Sequence, residues 1–185
     1  MLPQPHRIAA VILAAGASTR FGSPKQLAKV GERTMLEAVV EIAVAAGLAP
    51  ILAVVPPRVP VPPQAVAVPN AEPQLGMSRS LQLGIGAIPS EVSAAVILLG
   101  DQPTLDPAVV GKLIAVRGDR PIIASSARGV AAPPVLLERA RFASVDELEG
   151  DRGLRHLIRG ADDVLLVEID AHAPDIDTSD DLPRR

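Results

Sequence analysis

Residues 8–27 read IAAVILAAGASTRFGSPKQL, and this stretch decides the fold. Its first seven residues form an apolar run of strand length, and small and cationic residues follow directly. A short, uniformly apolar strand is typical of a parallel sheet that is covered on both faces. Small residues let backbone N–H groups approach an anion closely, so the loop after this strand is a candidate phosphate-binding loop.

Short apolar runs recur along the chain and alternate with amphipathic segments. This alternation predicts an α/β fold, a three-layer α/β/α sandwich with a Rossmann-like, mostly parallel sheet. Helices are expected at 34–46, at about 77–88 and from Asp106-Pro107 onward, since acceptor side chains, Pro89 and Gly47 mark their ends. Strands are expected at residues 8–14, 50–55, 65–68, 94–99, 121–125 and 164–169. The proline-rich segment 56–63 is interpreted as a connector.

The composition excludes several classes of protein. With 185 residues, 48% of them apolar, the chain is expected to form one domain, residues 1–185. The sequence shows neither a membrane-length apolar run nor a signal-peptide core, so a cytoplasmic location and no membrane partner are expected. A net charge of −3 without a basic cluster argues against a nucleic-acid partner. The absence of cysteine excludes disulfides and thiolate chemistry.

The loop at residues 13–27 carries two cations, Arg20 and Lys25, beside Gly16 and Gly22. It has neither the GxxxxGK[ST] spacing of a P-loop nor the GxGxxG of a dinucleotide-binding fold. An ordinary solvated loop is the alternative interpretation. The combination of small residues and two cations directly after a buried strand favours binding of a triphosphate.

Two carboxylates are candidate metal ligands. Asp101 follows strand 94–99, which places it at the carboxyl edge of a parallel sheet, where ligands of open α/β folds bind. Its hard oxygens suit magnesium, although a turn aspartate that caps local backbone is the alternative. Asp177 lies in the acidic C-terminal stretch IDAHAPDIDTSDDL, residues 169–182. The acids there could be helix caps, but a metal site needs a second carboxylate and Asp177 is the preferred candidate.

Six segments, taken in order, resemble the motifs of the MobA-like nucleotidyltransferase family and, within it, the molybdenum cofactor cytidylyltransferases. They cover nearly the whole chain. The segments are LAAGASTRFGSPKQL (13–27), PNAEPQLGMSRSLQLGI (69–85), VILLGDQP (96–103), PPVLLERARF (133–142), LEGDRGLRHLI (148–158) and DIDTSDDL (175–182).

The resemblance implies a nucleotide-binding N-terminal half and an acceptor-binding C-terminal half. It implies that CTP and Mg²⁺ bind, that CMP passes to the phosphate of molybdopterin or its molybdenum form, and that pyrophosphate leaves. The expected partners are therefore small molecules, CTP and the pterin, and the product could pass to a molybdoenzyme. The LAAG form of the first motif, in place of LAGG, points to a pyrimidine nucleotide.

The resemblance also assigns residues. Arg20, Lys25 and Asp101 are expected to be catalytic, with Asp101 and Asp177 as metal ligands. The nucleotide loop falls on Leu13, Ala14, Ala15 and Gly16. The residues expected near the base or acceptor are Gly76, Ser78 and Ser80, and those expected near the acceptor are Gly150, Asp151, Gly153 and Arg155.

The sequence departs from the family pattern at two places on the acceptor side. AEPQ follows Asn70 where an aromatic residue is common, and the loop before Pro-Val reads GVAAPPV at residues 129–135. Transfer to another phosphorylated acceptor, such as a sugar phosphate or a phospho-alcohol with CTP or GTP, therefore stays open. A non-catalytic carrier of the molybdenum cofactor is the alternative from another class.

Overall fold

The computed structural model describes residues 7–16, 24–150, 153–159 and 163–176, together with Thr178 and Asp181. These residues form nine strands and four α-helices. Short 3-10 helices cover Lys25–Leu27, Pro73–Leu75 and Arg139–Val145. In chain order the elements are β1 (Ile8–Leu13), β2 (Lys29–Val30), β3 (Arg33–Thr34), α1 (Met35–Ala45), β4 (Ile51–Val55), β5 (Val66–Pro69), α2 (Met77–Gly86), β6 (Ala94–Leu99), α3 (Pro107–Ala115), β7 (Ile122–Ala127), β8 (Val130–Glu138), α4 (Leu154–Arg159) and β9 (Val164–Glu168).

Seven strands form one sheet in the order β5-β4-β1-β6-β8-β7-β9. β1 pairs in parallel with β4 and β6, β4 with β5, and β7 with β9. β8 is antiparallel to both of its neighbours, so the other six strands all point the same way. Their carboxyl ends therefore meet at one edge of the sheet. The predicted mostly parallel α/β fold is confirmed.

Of the strands in the seven-stranded sheet, β8 was not predicted from sequence, and neither was the short separate pair β2 and β3. It contains Pro133 and Pro134, and prolines argue against a central strand because they donate no backbone hydrogen bond. The pairing of β7 with β8 shifts register between Ala124 and Ser125: Ala124 pairs with Val135, whereas Ser125 pairs with Ala132. Both prolines thus lie in a bulge, where the ladder requires no donor from them.

The core has two apolar layers, one on each face of the sheet. Alternate residues of β1 point to opposite faces, so Val11 packs in the layer with α2 and α4, and Ile12 packs in the layer with α1 and α3. Both residues are fully buried. This arrangement explains why β1 reads as an uninterrupted apolar run, and it confirms the three-layer sandwich.

Helix α1 begins and ends as the sequence predicts. Thr34 Oγ1 accepts from the Glu37 backbone N–H at 3.1 Å, and a Glu37 carboxylate oxygen accepts from the Thr34 N–H at 2.6 Å. This capping box lowers the pKa of Glu37, mainly through the backbone hydrogen bond from Thr34. At the other end Gly47 has a φ of +72°, a left-handed value that favours glycine. The apolar face of the helix is buried and consists of Leu36, Val39, Val40 and Ala43.

The proline-rich segment 56–63 forms neither helix nor strand, as expected of a connector. Val59 and Val61 are partly buried against the apolar layer of α1 and α3 and so attach the segment to the body of the protein. Within the described part of the chain, every helix falls short of the length and apolarity that a membrane crossing requires.

Candidate active site

The carboxyl end of β1 is fixed between its two neighbours. The Ala14 N–H donates to the Val54 carbonyl at 2.9 Å, and the Gly100 N–H donates to the Leu13 carbonyl at 2.9 Å. Leu13, Ala14 and Ala15 are buried, whereas Gly16 is exposed. The loop that follows thus leaves the sheet from a rigid base. Residues 17–23, including the predicted catalytic Arg20, lie outside the described part of the chain.

The chain returns to this base at Lys25, where a 3-10 helix begins. Gln26 is 4% exposed, and its Nε2 donates to the Ala14 carbonyl. This hydrogen bond joins the two ends of the loop, so that Lys25 lies at the carboxyl edge of the sheet. Gln26 was not among the residues predicted from sequence. The only signal for it is a polar side chain between the candidate Lys25 and an apolar residue.

Asp101 lies in the turn directly after β6. A Cβ atom at position 100 would lie 2.6 Å from Ala14 Cβ, closer than carbon atoms approach without a shift, so the turn needs glycine there. This close approach brings Asp101 to the end of β1. Lys25 Nζ donates to Asp101 Oδ2 at 3.0 Å, which joins two residues that are 76 positions apart in the chain.

The two carboxylate oxygens of Asp101 have different surroundings. Oδ1 is buried and has no hydrogen-bond partner among the described residues. Burial raises the pKa of Asp101 above its ordinary value, while the hydrogen bond and charge of Lys25 lower it and the charge of Asp175 raises it further. A partly buried carboxylate with an unpartnered oxygen and a nearby second carboxylate fits a hard divalent cation.

A segment close to the C-terminus lies against the Asp101 turn. The Ile176 N–H donates to the Asp101 carbonyl at 2.9 Å, and Gln102 Nε2 donates to Asp175 Oδ1 at 2.9 Å. Asp177 itself lies outside the described residues, so its role as a metal ligand stays a prediction. No group of three or more His, Asp or Glu side chains with metal-binding geometry occurs in the described ranges.

The predicted acceptor residues gather at the start of α2. Gly76 has a φ of +86° and precedes the helix, and the Ser78 N–H donates to the Gly150 carbonyl at 3.1 Å. A Cβ atom on Gly153 would lie 2.5 Å from Met77 Sδ, so the segment with Gly153 packs closely on α2. The structure therefore brings Gly76, Ser78, Gly150 and Gly153 together.

The other three residues of the predicted acceptor set, Ser80, Arg155 and Asp151, have different surroundings. Ser80 is buried, and its Oγ accepts from Asn70 Nδ2 at 3.0 Å. Arg155 is exposed on α4, and Asp151 lies outside the described residues.

Asn70 is fully buried, and its Oδ1 also accepts from the Glu72 N–H at 2.8 Å. Asn70 thus fixes the turn between β5 and α2, a role signalled in the sequence only by a polar residue directly after a strand.

The sheet order, the loop after β1 and the carboxylate after β6 define the class of protein, an α/β protein with the nucleotidyltransferase fold. The family model described as the MobA-like NTP transferase domain matches residues 10–165. The chain belongs to this family.

Several solved structures are similar to nearly the whole chain. Rv0371c from Mycobacterium tuberculosis H37Rv is 27% identical, with a TM-score of 0.83 and coverage of 96% of both chains. Its homolog from Mycobacterium sp. strain JC1 is 30% identical, with a TM-score of 0.83, and the match covers 96% of this chain and 94% of that one. Rv0371c has also been solved in complex with manganese, a structure that matches at 25% identity and a TM-score of 0.79, with 96% of both chains covered.

A curated relative is also similar over part of the chain. The purine catabolism protein PucB of Bacillus subtilis (strain 168) is 32% identical over 117 residues. The match covers 60% of this chain and 57% of PucB, so it spans little more than half the length of that relative.

Proposed function

We propose that the chain is a divalent-cation-dependent nucleotidyltransferase that transfers CMP from CTP to the phosphate of molybdopterin or its molybdenum form and releases pyrophosphate. The observation that carries this proposal is the Lys25–Asp101 pair at the carboxyl edge of the sheet, beside the loop that follows β1. A cation and a metal-binding carboxylate at one place are what a triphosphate substrate requires.

Asp101, through its unpartnered Oδ1, would hold the divalent cation, with Asp177 as the proposed second ligand. A bound Mg²⁺ or Mn²⁺ supplies positive charge that offsets the negative charge of the phosphates. The manganese complex of Rv0371c, a structure that matches this chain at 25% identity, supports a cation of this kind. Lys25 and a cation would compete for the charge of Asp101, so a bound cation would weaken the Lys25–Asp101 contact.

The proposed reaction needs no general base. A phosphate monoester is already anionic near neutral pH, so its oxygen can attack the α-phosphorus directly. The described histidines also fit this view, because His172 Nε2 lies 2.8 Å from the Val130 carbonyl and His156 is an exposed residue of α4. The chain then contributes position and charge: Lys25 and Arg20 would stabilise the leaving pyrophosphate.

The choice of substrates rests on sequence and on one cluster of residues. The LAAG form of the loop, residues 13–16, supports a pyrimidine nucleotide, and the segments that join at Ser78 and Gly150 are proposed to hold the acceptor. Gly76, which is partly exposed, lies in the same segment as Ser78, and its lack of a side chain leaves its backbone groups accessible to a ligand. Gly153 is buried against Met77 and lets the two segments approach closely.

Pyrophosphate release with each of the four nucleoside triphosphates, with Mg²⁺ and with or without molybdopterin, tests the proposal. We expect release that requires both CTP and the pterin. Release with GTP or with a sugar phosphate instead would replace the proposed substrates. Tight pterin binding without any release would replace the enzyme with a carrier of the cofactor.

Asp101→Ala and Lys25→Ala should each reduce this turnover by about 100-fold or more, because both side chains act on the charge of the reacting phosphates. Lys112→Ala, at an exposed position on α3, is the matched control for the loss of one cation and should keep full turnover. Near-normal turnover in either site variant, with the fold intact, would count against the proposed site.

A further inference from the structure

The segment at residues 173–176 is tied to the Asp101 turn by one buried side chain. Gln102 is 5% exposed, and its Nε2 donates to Asp175 Oδ1 at 2.9 Å and lies 3.4 Å from the Ala173 carbonyl. The backbone hydrogen bond from Ile176 to the Asp101 carbonyl adds a third contact between the same two segments. The exposed Asp175 is therefore held in place by a buried amide rather than by its own packing.

This arrangement keeps two carboxylates near each other. The hydrogen bonds from Gln102 to Asp175 and from Ile176 to the Asp101 carbonyl hold the Asp175 carboxylate beside the turn that carries Asp101, so the two negative charges repel. Because like charges separate unless something restrains them, the hydrogen bonds of Gln102 work against this repulsion. Gln102 Oε1 is itself buried without a partner among the described residues, which is an unfavourable arrangement for an amide with a purely structural role.

We propose that Gln102 is a positioning residue for a divalent cation at Asp101. By holding residues 173–176 against the turn after β6, it keeps the negative charge of Asp175 beside Asp101, where the charge attracts the cation. The inference rests on the proposed function only for what the cation does in catalysis. Cation binding itself can be measured without nucleotide or acceptor.

Gln102→Met tests the N–H donors of Gln102 at nearly constant side-chain size, because methionine keeps the length and apolar stem but lacks both donors. We expect the dissociation constant for Mn²⁺, measured by electron paramagnetic resonance on the full chain, to rise about tenfold. The backbone amide of Ile176 should also exchange with deuterium faster than in the wild type, because the segment is released from the turn.

Asp175→Asn separates position from charge. Asparagine keeps an oxygen that can accept from Gln102, so exchange at Ile176 should stay as in the wild type. The affinity for Mn²⁺ should still fall, by about fivefold, because the negative charge is gone. The proposal is supported if both variants bind Mn²⁺ more weakly, but only Gln102→Met shows faster exchange at Ile176.

Gln82→Met is the matched control. Gln82 in α2 donates through Nε2 to the Leu148 carbonyl at 3.0 Å, so this variant also loses a glutamine donor that holds a backbone segment, but not the segment at residues 173–176. Its affinity for Mn²⁺ should stay within about twofold of the wild type, because it does not touch the Asp101 turn.

Unchanged Mn²⁺ affinity in folded Gln102→Met overturns the inference, as does weaker binding with unchanged exchange at Ile176. Should Gln102→Met not fold, Asp175→Ala removes the acceptor from an exposed position, and unchanged binding in that variant also overturns it. A wild type that binds Mn²⁺ through Asp101 but never releases pyrophosphate contradicts the proposed function alone. Full turnover together with unaltered Mn²⁺ binding in Gln102→Met contradicts the inference alone.

Discussion

Asp101 is a residue at which stability and the proposed function oppose each other. Its carboxylate is partly buried, and burial raises its pKa, so the fold disfavours the charged form that a cation would need. Lys25 offsets part of that cost through the contact at 3.0 Å. Residues of this kind are typical of functional sites, where a side chain kept for function reduces the stability of the folded protein.

Asp101→Asn should therefore not destabilise the protein in the absence of metal. The folded pKa of Asp101 is above its unfolded value, so ionisation weakens the fold and the penalty is complete at pH 8. We expect the variant to unfold at the same temperature as the wild type or higher at pH 8. As the pH falls through the raised pKa, the wild type takes up a proton and the difference disappears. Thermal unfolding across this range, with a chelator present, measures it, and a clearly lower melting temperature for the variant at pH 8 would contradict the electrostatic argument.

Gly100→Ala should damage the site through packing. The added Cβ atom would lie 2.6 Å from Ala14 Cβ, which forces apart the ends of β1 and β6, and overpacking of this kind costs about 1–3 kcal/mol. Chemical denaturation gives this free energy of unfolding. Gly111→Ala is the control, because nothing lies within 4 Å of the added atom in the interior of α3, and it should stabilise the protein by about 1 kcal/mol. Equal effects in the two variants would be inconsistent with the close approach at Gly100.

Among the elements, the strands that form uninterrupted apolar runs were predictable from sequence. β1 and β6 are central strands buried on both faces, and their apolar runs predicted them nearly to the residue. Helix α2 ends at Gly86, before the predicted end near residue 88. Pro89 lies beyond the helix, so it sets only an outer limit for the helix end. β8 escaped prediction because its prolines lie in a bulge whose position depends on the register of β7, and no local pattern reports that register.

Thr34→Ala should destabilise α1 at its first turn. The variant leaves the Glu37 N–H without the Oγ1 acceptor that lies 3.1 Å away, and the loss of an N-cap of this kind costs about 1 kcal/mol. Urea denaturation at neutral pH gives the change in the free energy of unfolding. Thr104→Ala, at an exposed position outside the helices, serves as the control and should change stability by less than about 0.5 kcal/mol. Indistinguishable variants would show that the capping box does not stabilise the native state.

At the scale of the whole molecule, contacts across the chain were the least predictable part. The sequence indicated that Lys25 and Asp101 each follow an apolar strand, but their pairing depends on β6 lying next to β1 in the sheet. The role of Gln102 depends in the same way on residues 173–176 returning to the turn after β6. Strand order and the path of the C-terminal segment arise from tertiary packing, which a single sequence does not report.

Hydrogen exchange should reveal the layered construction of the sheet. β1 and β6 pair on both sides and are covered by both apolar layers, so their amides should exchange the slowest. β5 and β9 lie at the two ends of the sheet and contain the exposed Val66 and Leu166, so their amides should exchange earlier. Exchange followed residue by residue measures this order, and equal protection in central and outer strands would contradict it.

The reversed direction of β8 has a consequence for how relatives of this chain can diverge. Because β8 is antiparallel to β7, the turn between them, at Arg128 and Gly129, lies at the same edge of the sheet as Asp101. A turn of this type can gain or lose residues while the strands beneath it keep their pairing. A relative with another acceptor could thus arise by changes in this one turn, while the turn that carries Asp101 is inherited unaltered.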